Sequence, residues 1–151
     1  MKLYELVDQY HRDTDLTSAE AMLRGCDEYY QLNLPDEALQ MFSLMGVGMQ
    51  SELSCCGAFT VAVAMIGLFT TQPGQQNTEN PQGANLVREL TAYLLEFFGS
   101  LQCSQLRELQ IQGFPNPCDA LVPEIASKLE ELLELFQFRK TQASAQEALL
   151  S

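Results

Sequence analysis

Apolar residues recur at helical spacing through nearly the whole chain. Ala38, Leu39, Phe42 and Met45 share one stripe, and Leu86, Leu90, Tyr93, Leu94 and Phe97 form another. A third comprises Leu121, Ile125, Leu129, Leu132, Leu133 and Phe136, with Glu130, Glu131 and Glu134 turned outward. Thr17-Ser18-Ala19-Glu20 matches a capping box, which predicts a helix from about Ser18 to Leu32. Pro35 suits a first helical position, with Asp36 and Glu37 at the positive end of the dipole, and Gly46-Val47-Gly48 ends that helix.

The next helix opens near Ser51 or Ser54 and runs to Phe69. It is apolar on nearly every face, which places a central helix near residues 52–69. A strand over Val61 to Val63 is disfavoured because the run is long and rich in Ala and Met. A polar loop with Pro73, Gly74, Pro81 and Gly83 follows, and the Leu86–Phe97 helix stops at Gly99. A short helix is expected over Cys103–Ile111, and Gly113-Phe114-Pro115-Asn116-Pro117 forces a turn before the last long helix. Pro123 is expected in that helix's first turn, where its missing N–H costs nothing. The pattern predicts an all-α fold, a compact bundle of about five to six helices over residues 1–140, with a loose tail at 141–151. The apolar stripes of the second half exceed what one small bundle covers, which raises the expectation of a homodimer.

Composition sharpens this picture. Hydrophobic residues make up 46% of the 151 and charged residues 19%, the balance of a chain that buries a core. Twenty acids against eight bases leave a net charge of −12, which argues against a nucleic-acid partner and against docking on anionic lipid. The apolar run Cys55–Phe69 is too short to span a bilayer. The N-terminus, charged at once, shows no secretory signal, so a cytoplasmic location is expected. In that compartment thiols stay reduced, and five cysteines point to metal, redox or catalytic use before structural disulfides.

Those cysteines are Cys26, Cys55, Cys56, Cys103 and Cys118, none in a Cys-x-x-Cys pair. Any shared site must therefore be assembled by the fold. Cys55/Cys56, Cys103 and Cys118 fall near predicted helix N-termini, where backbone N–H groups favour a thiolate. Acids such as Asp27 and Asp119, adjoining Cys26 and Cys118, oppose this. Burial as small hydrophobes is the competing reading. His11, the only histidine, reads as a surface helix residue. Gly46-Val47-Gly48 lacks the lysine and preceding strand of a phosphate loop.

The order Cys26, Cys56-Gly57-Ala58 after a glycine-containing turn, Cys103 after Phe98-Gly99-Ser100, and Cys118 before Leu121-Val122 resembles the redox-active proteins named for their C_GCAxxG_C_C cysteine pattern. The likeness runs from about Leu23 to Leu133. The resemblance implies a small helical bacterial or archaeal protein that is redox-active or metal-binding, and it relates the chain to a domain of split-Soret cytochrome c. It maps the family's four cysteines onto Cys26, Cys56, Cys103 and Cys118, leaving Cys55 as the extra one. Val61 stands where the family's CGAxxG motif has its final glycine.

Three functions follow as expectations. The first is thiol–disulfide chemistry centred on Cys56 with Cys103 and Cys118, as a thiol oxidoreductase or electron-transfer protein with a redox partner protein or small thiol. The second is zinc or iron–sulfur binding by Cys26, Cys56, Cys103 and Cys118. The third is a helical interaction domain in which the cysteines only pack.

Overall fold

The computed structural model describes residues 1–151, apart from the side chain of Asn77. It is all-α. Seven α-helices are present among the described residues: α1 Leu3–Arg12, α2 Ser18–Tyr30, α3 Asp36–Met41, α4 Gly57–Thr70, α5 Pro81–Phe98, α6 Cys103–Arg107 and α7 Cys118–Leu150. No helix of the described residues is long and apolar enough to cross a membrane.

Local chemistry explains most boundaries. Thr17 caps α2 as its sequence demands: the Glu20 N–H donates to Thr17 Oγ1 at 3.3 Å, and the Thr17 N–H donates to Glu20 Oε1 at 3.1 Å. Asn80 ties two helices together. Its side-chain oxygen accepts the Gly83 N–H at 3.0 Å, starting α5, while its amide donates to Thr70 and Thr71 at the end of α4. The helix thus begins at Pro81, inside the segment expected to be loop, because proline fits a first-turn position and Asn80 caps it. Gly99, left-handed at φ 76, closes α5.

α4 is the central element, packed by α2, α5 and α7, while α1 lies across α2 and α7. Val61, Ala62, Met65 and Ile66 of α4 meet Leu121, Val122, Ile125, Leu129 and Leu132 of α7 in one buried cluster. Each of these side chains other than Ala62 withdraws apolar surface worth about 1.5–3 kcal/mol.

Four expectations are corrected. α1 adds a helix to the five or six anticipated, and Leu3 and Val7 on its inner face are fully buried. α4 opens at Gly57, not at Ser51 or Ser54, because the chain from Val47 to Glu52 is in a different conformation. Pro123 sits inside α7, past its first turn. Its ring removes one intrahelical donor while the helix continues through it. The segment beyond Lys140, expected to be loose, extends α7 to Leu150 with every residue from Gln137 onward exposed.

Candidate functional site

The segment before α4 has an uncommon backbone. Val47, Gly48, Met49 and Gln50 are consecutively left-handed, at φ 53, 57, 58 and 64. For L-residues this conformation costs about 1–2 kcal/mol each, so the surrounding contacts must hold it. Gly48 shows what those contacts are. A Cβ added there would lie 2.6 Å from Cys103 Cβ and 3.0 Å from the Ser54 carbonyl oxygen. The turn is pressed directly onto Cys103.

A backbone clamp supplies the rest. The Cys56 N–H donates to the Leu101 carbonyl at 2.8 Å, and the Cys103 N–H donates to the Ser54 carbonyl at 2.9 Å. Gln102 Nε2 adds a bond to the Leu53 carbonyl at 3.0 Å. Segments far apart in sequence thereby meet as a short antiparallel pairing, with Cys55 opposite Gln102. The clamp fixes Cys56 at the cap of α4 beside Cys103 at the first position of α6.

α7 contributes the third thiol. Cys118 is its first residue, and the Cys118 N–H donates to Asn116 Oδ1 at 3.1 Å. Cys56, Cys103 and Cys118 together line a cavity of about 180 Å³, whose wall also includes His11, Val47 and Arg107. All five cysteines are free thiols. Cys26 is fully buried in the core and is not among the cavity's lining residues, and Cys55 faces solvent.

The electrostatics differ from what helix starts alone suggest. Burial pushes the Cys56 thiol up to about 11, with the Phe59 and Ala58 backbone N–H groups opposing it and Cys118 and Cys103 adding to it. Burial likewise raises Cys103, against the pull of the Arg107 guanidinium, with Glu52 reinforcing the rise. Cys118 is raised by burial first and by Cys103 second, again opposed by Arg107. Desolvation therefore outweighs the helix N-termini, and the reduced site holds neutral thiols at neutral pH.

Two residues join the site that the sequence reading did not place there. His11, read as a surface residue, has a side chain only 11% exposed, and its Nδ1 lies 3.3 Å from Asp119 Oδ1. That contact has ion-pair distance without hydrogen-bond geometry, so the buried Nδ1 has no hydrogen-bond partner among the described residues. Burial lowers the His11 pKa, with Asp119 and Asp8 pulling the other way. The helical spacing of Leu3, Leu6, Val7 and Tyr10 was the available signal for α1, the helix that delivers His11. Arg107 stands four residues after Cys103, on the same face of α6, and pairs with Glu52 across the clamp.

A model of one family, described as "Putative redox-active protein (C_GCAxxG_C_C)", matches residues 16–132. The chain belongs to this family. No curated protein and no solved structure matches it. Of the four cysteines expected to carry the family's pattern, Cys56, Cys103 and Cys118 line the cavity and Cys26 does not. In the family's GCAxxG pattern the final glycine stands four residues after the cysteine, which places Thr60 there when Cys56 is that cysteine, and not Val61 as expected. Val61 is fully buried in the core and is not among the residues lining the cavity. Its bulk therefore fills the helix interface and does not narrow the thiol site. His11 lies outside the matched residues.

Zinc or an iron–sulfur cluster requires several thiolates converging on one point. Among the described residues, no group of three or more His, Cys, Asp or Glu side chains is arranged to hold a metal ion. With Cys26 enclosed by core side chains, the four pattern cysteines as placed do not fit a four-thiolate centre, whose sulfurs must all lie about 2.3 Å from one ion.

Proposed function

We propose that the chain performs thiol–disulfide exchange at the cavity shared by Cys56, Cys103 and Cys118. The observation that supports this reading is the convergence of three thiols from three helix starts on one small cavity, through a strained turn and a backbone clamp. Scattered packing cysteines need no such construction.

Accessibility supports one order of events. Cys56 is 5% exposed and Cys103 8%, whereas Cys118 is half-buried. The Cys118 thiolate attacks one sulfur of a partner disulfide, forming a mixed disulfide and expelling the partner's other sulfur as a thiolate. Cys56 or Cys103, once deprotonated, attacks the Cys118 sulfur and releases the partner's second thiolate. The two protons lost by the protein thiols end on the two released thiols. Two electrons pass to the partner, and the protein keeps one internal disulfide. Cys56 and Cys103 are thus the two inner thiols that can resolve the mixed disulfide, and the attacking role goes to the more accessible Cys118.

Because every cavity thiol is raised, exchange accelerates as pH rises above neutrality. The test is stoichiometric exchange with glutathione disulfide, followed by released glutathione, in a Cys55→Ser background that removes the exposed thiol. The background chain releases two equivalents. Cys118→Ser abolishes the reaction at the cavity, and Cys56→Ser slows release of the second equivalent while helicity by circular dichroism stays intact. Unchanged two-equivalent release from a Cys56→Ser/Cys103→Ser double variant contradicts the reading.

A further inference from the structure

A second concavity, away from the thiols, lies where the ends of α2 and α4 meet the middle of α7. It encloses about 270 Å³, and its walls include Tyr29, Tyr30, Phe69 and Phe136 together with Glu130 and Glu134. Tyr29 and Tyr30 form a right-angled corner, with ring centroids 4.9 Å apart and planes at 90°. Phe69 extends that wall, its centroid 4.8 Å from that of Tyr30 at an interplanar angle of 59°.

The polar groups have one sign. The two carboxylates stand four residues apart on one face of α7, and the lining includes no basic side chain. Glu130 is 8% exposed. One of its oxygens accepts the Leu3 N–H at 3.0 Å, and the other has the solvent-exposed Lys2 ammonium at 3.8 Å, a loose neutralisation from outside. The Tyr30 hydroxyl is buried with no hydrogen-bond partner among the described residues. An unpaired buried hydroxyl costs about 1–3 kcal/mol, so a group that pairs with it on binding recovers that cost.

We infer that this aromatic, doubly acidic pocket binds a small organic ammonium ion, a free alkylated amine that also carries a hydrogen-bonding group. Ring faces attract a cation through their quadrupole, and the buried Glu130 and exposed Glu134 carboxylates add a charge term that an uncharged ligand of equal shape cannot use. The net charge of −12 concentrates cations around the chain and favours the same class. The pocket is separate from the thiol cavity, and the inference does not depend on the redox reading.

The test uses the full chain at low ionic strength with two probes, choline and its uncharged isostere 3,3-dimethyl-1-butanol. Binding is followed by chemical shifts of the tyrosine ring protons and by calorimetry. Choline is expected to give saturable shifts of the Tyr29 and Tyr30 rings, with the isostere at least about tenfold weaker, which corresponds to about 1.4 kcal/mol. Glu134→Gln, at an exposed carboxylate, should weaken choline severalfold without changing the melting temperature. Tyr30→Phe, which removes the unpaired hydroxyl, should weaken both probes to a similar degree, since both carry the same hydroxyl group. Equal binding of the two probes, or unchanged choline binding in Glu134→Gln, overturns the inference. So does the absence of saturable shifts, or sedimentation showing that a second copy of the chain covers the pocket.

Discussion

Gly48→Ala places the steepest demand on the site, and its cost can be worked from the structure. The residue is left-handed at φ +57, where an alanine Cβ meets its own backbone at a cost of about 1–2 kcal/mol. The same Cβ would lie 2.6 Å from Cys103 Cβ and 3.0 Å from the Ser54 carbonyl. Neither neighbour can swing away, since the Ser54 carbonyl accepts the Cys103 N–H and both belong to the clamp. Relief therefore requires the turn and the clamp to separate, which adds about 1–3 kcal/mol by analogy with overpacked cores. The expected total, about 2–5 kcal/mol, corresponds to a fall of about 4–20 °C in melting temperature for a chain of this size. Gly67→Ala is the matched control. Its added Cβ meets nothing within 4 Å, and replacing a helix-interior glycine by alanine should stabilise by about 0.5–1 kcal/mol. The assay is thermal and urea unfolding of both variants, with alkylation of Cys103 measured by peptide mass spectrometry under native conditions. Gly48→Ala should lose stability and expose Cys103, while Gly67→Ala should do neither. A Gly48→Ala variant within 0.5 kcal/mol of the unaltered chain, a margin typical of surface changes, with Cys103 still protected, would refute the account of how the turn seats that thiol.

The buried titratable groups set the pH profile of stability. Cys26 and Cys56, raised from 9.0 to about 12 and about 11, stay protonated in the fold after the unfolded chain has ionised. Urea unfolding at a series of pH values should therefore show stability intact below pH 9.0 and lost progressively above it, on the order of several kcal/mol. At the acid side, His11 is lowered from 6.5, so stability should be retained above that value and decline below it; His11→Gln should flatten the decline in the same series. Cys26→Ser should cost about 1–3 kcal/mol by burying a hydroxyl in the core, yet leave glutathione release unchanged. Glu130→Ala removes the buried acceptor of the Leu3 N–H and should loosen α1 by about 1.5–3 kcal/mol, seen as faster amide exchange from Val7 to His11 ahead of the rest.

Helical periodicity and capping chemistry are local, and what depended on them was readable. Thr17 and Glu20 start α2, Gly99 ends α5, and the near-continuous apolar run at 57–70 becomes the central helix. The α4 boundary was not readable, because Ser51 and Ser54 have the composition of helix caps. What overrides them is the pairing of residues 54–56 with 101–103 and the left-handed turn at 47–50, and no local rule encodes that pairing. Cysteine order correctly signalled the family, but order carries no depth. Nothing in the sequence around Cys26 distinguishes a core position from a cavity wall. The same loss of depth explains the thiol electrostatics, where proximity to helix starts was visible and desolvation was not. His11 differs, since the stripe Leu3, Leu6, Val7 and Tyr10 does signal a buried face for its helix, and what the sequence does not show is that this helix packs on α2 and α7 and brings His11 to the cavity.

The central claim concerns which sulfurs can join. Graded oxidation of the full chain with glutathione disulfide, quenched with acid and mapped by peptide mass spectrometry without reduction, measures it directly. The account predicts an internal disulfide within the set Cys56, Cys103 and Cys118, with Cys26 still reduced in the folded chain. Oxidation confined to a mixed disulfide at exposed Cys55, with those three thiols unchanged, would contradict it.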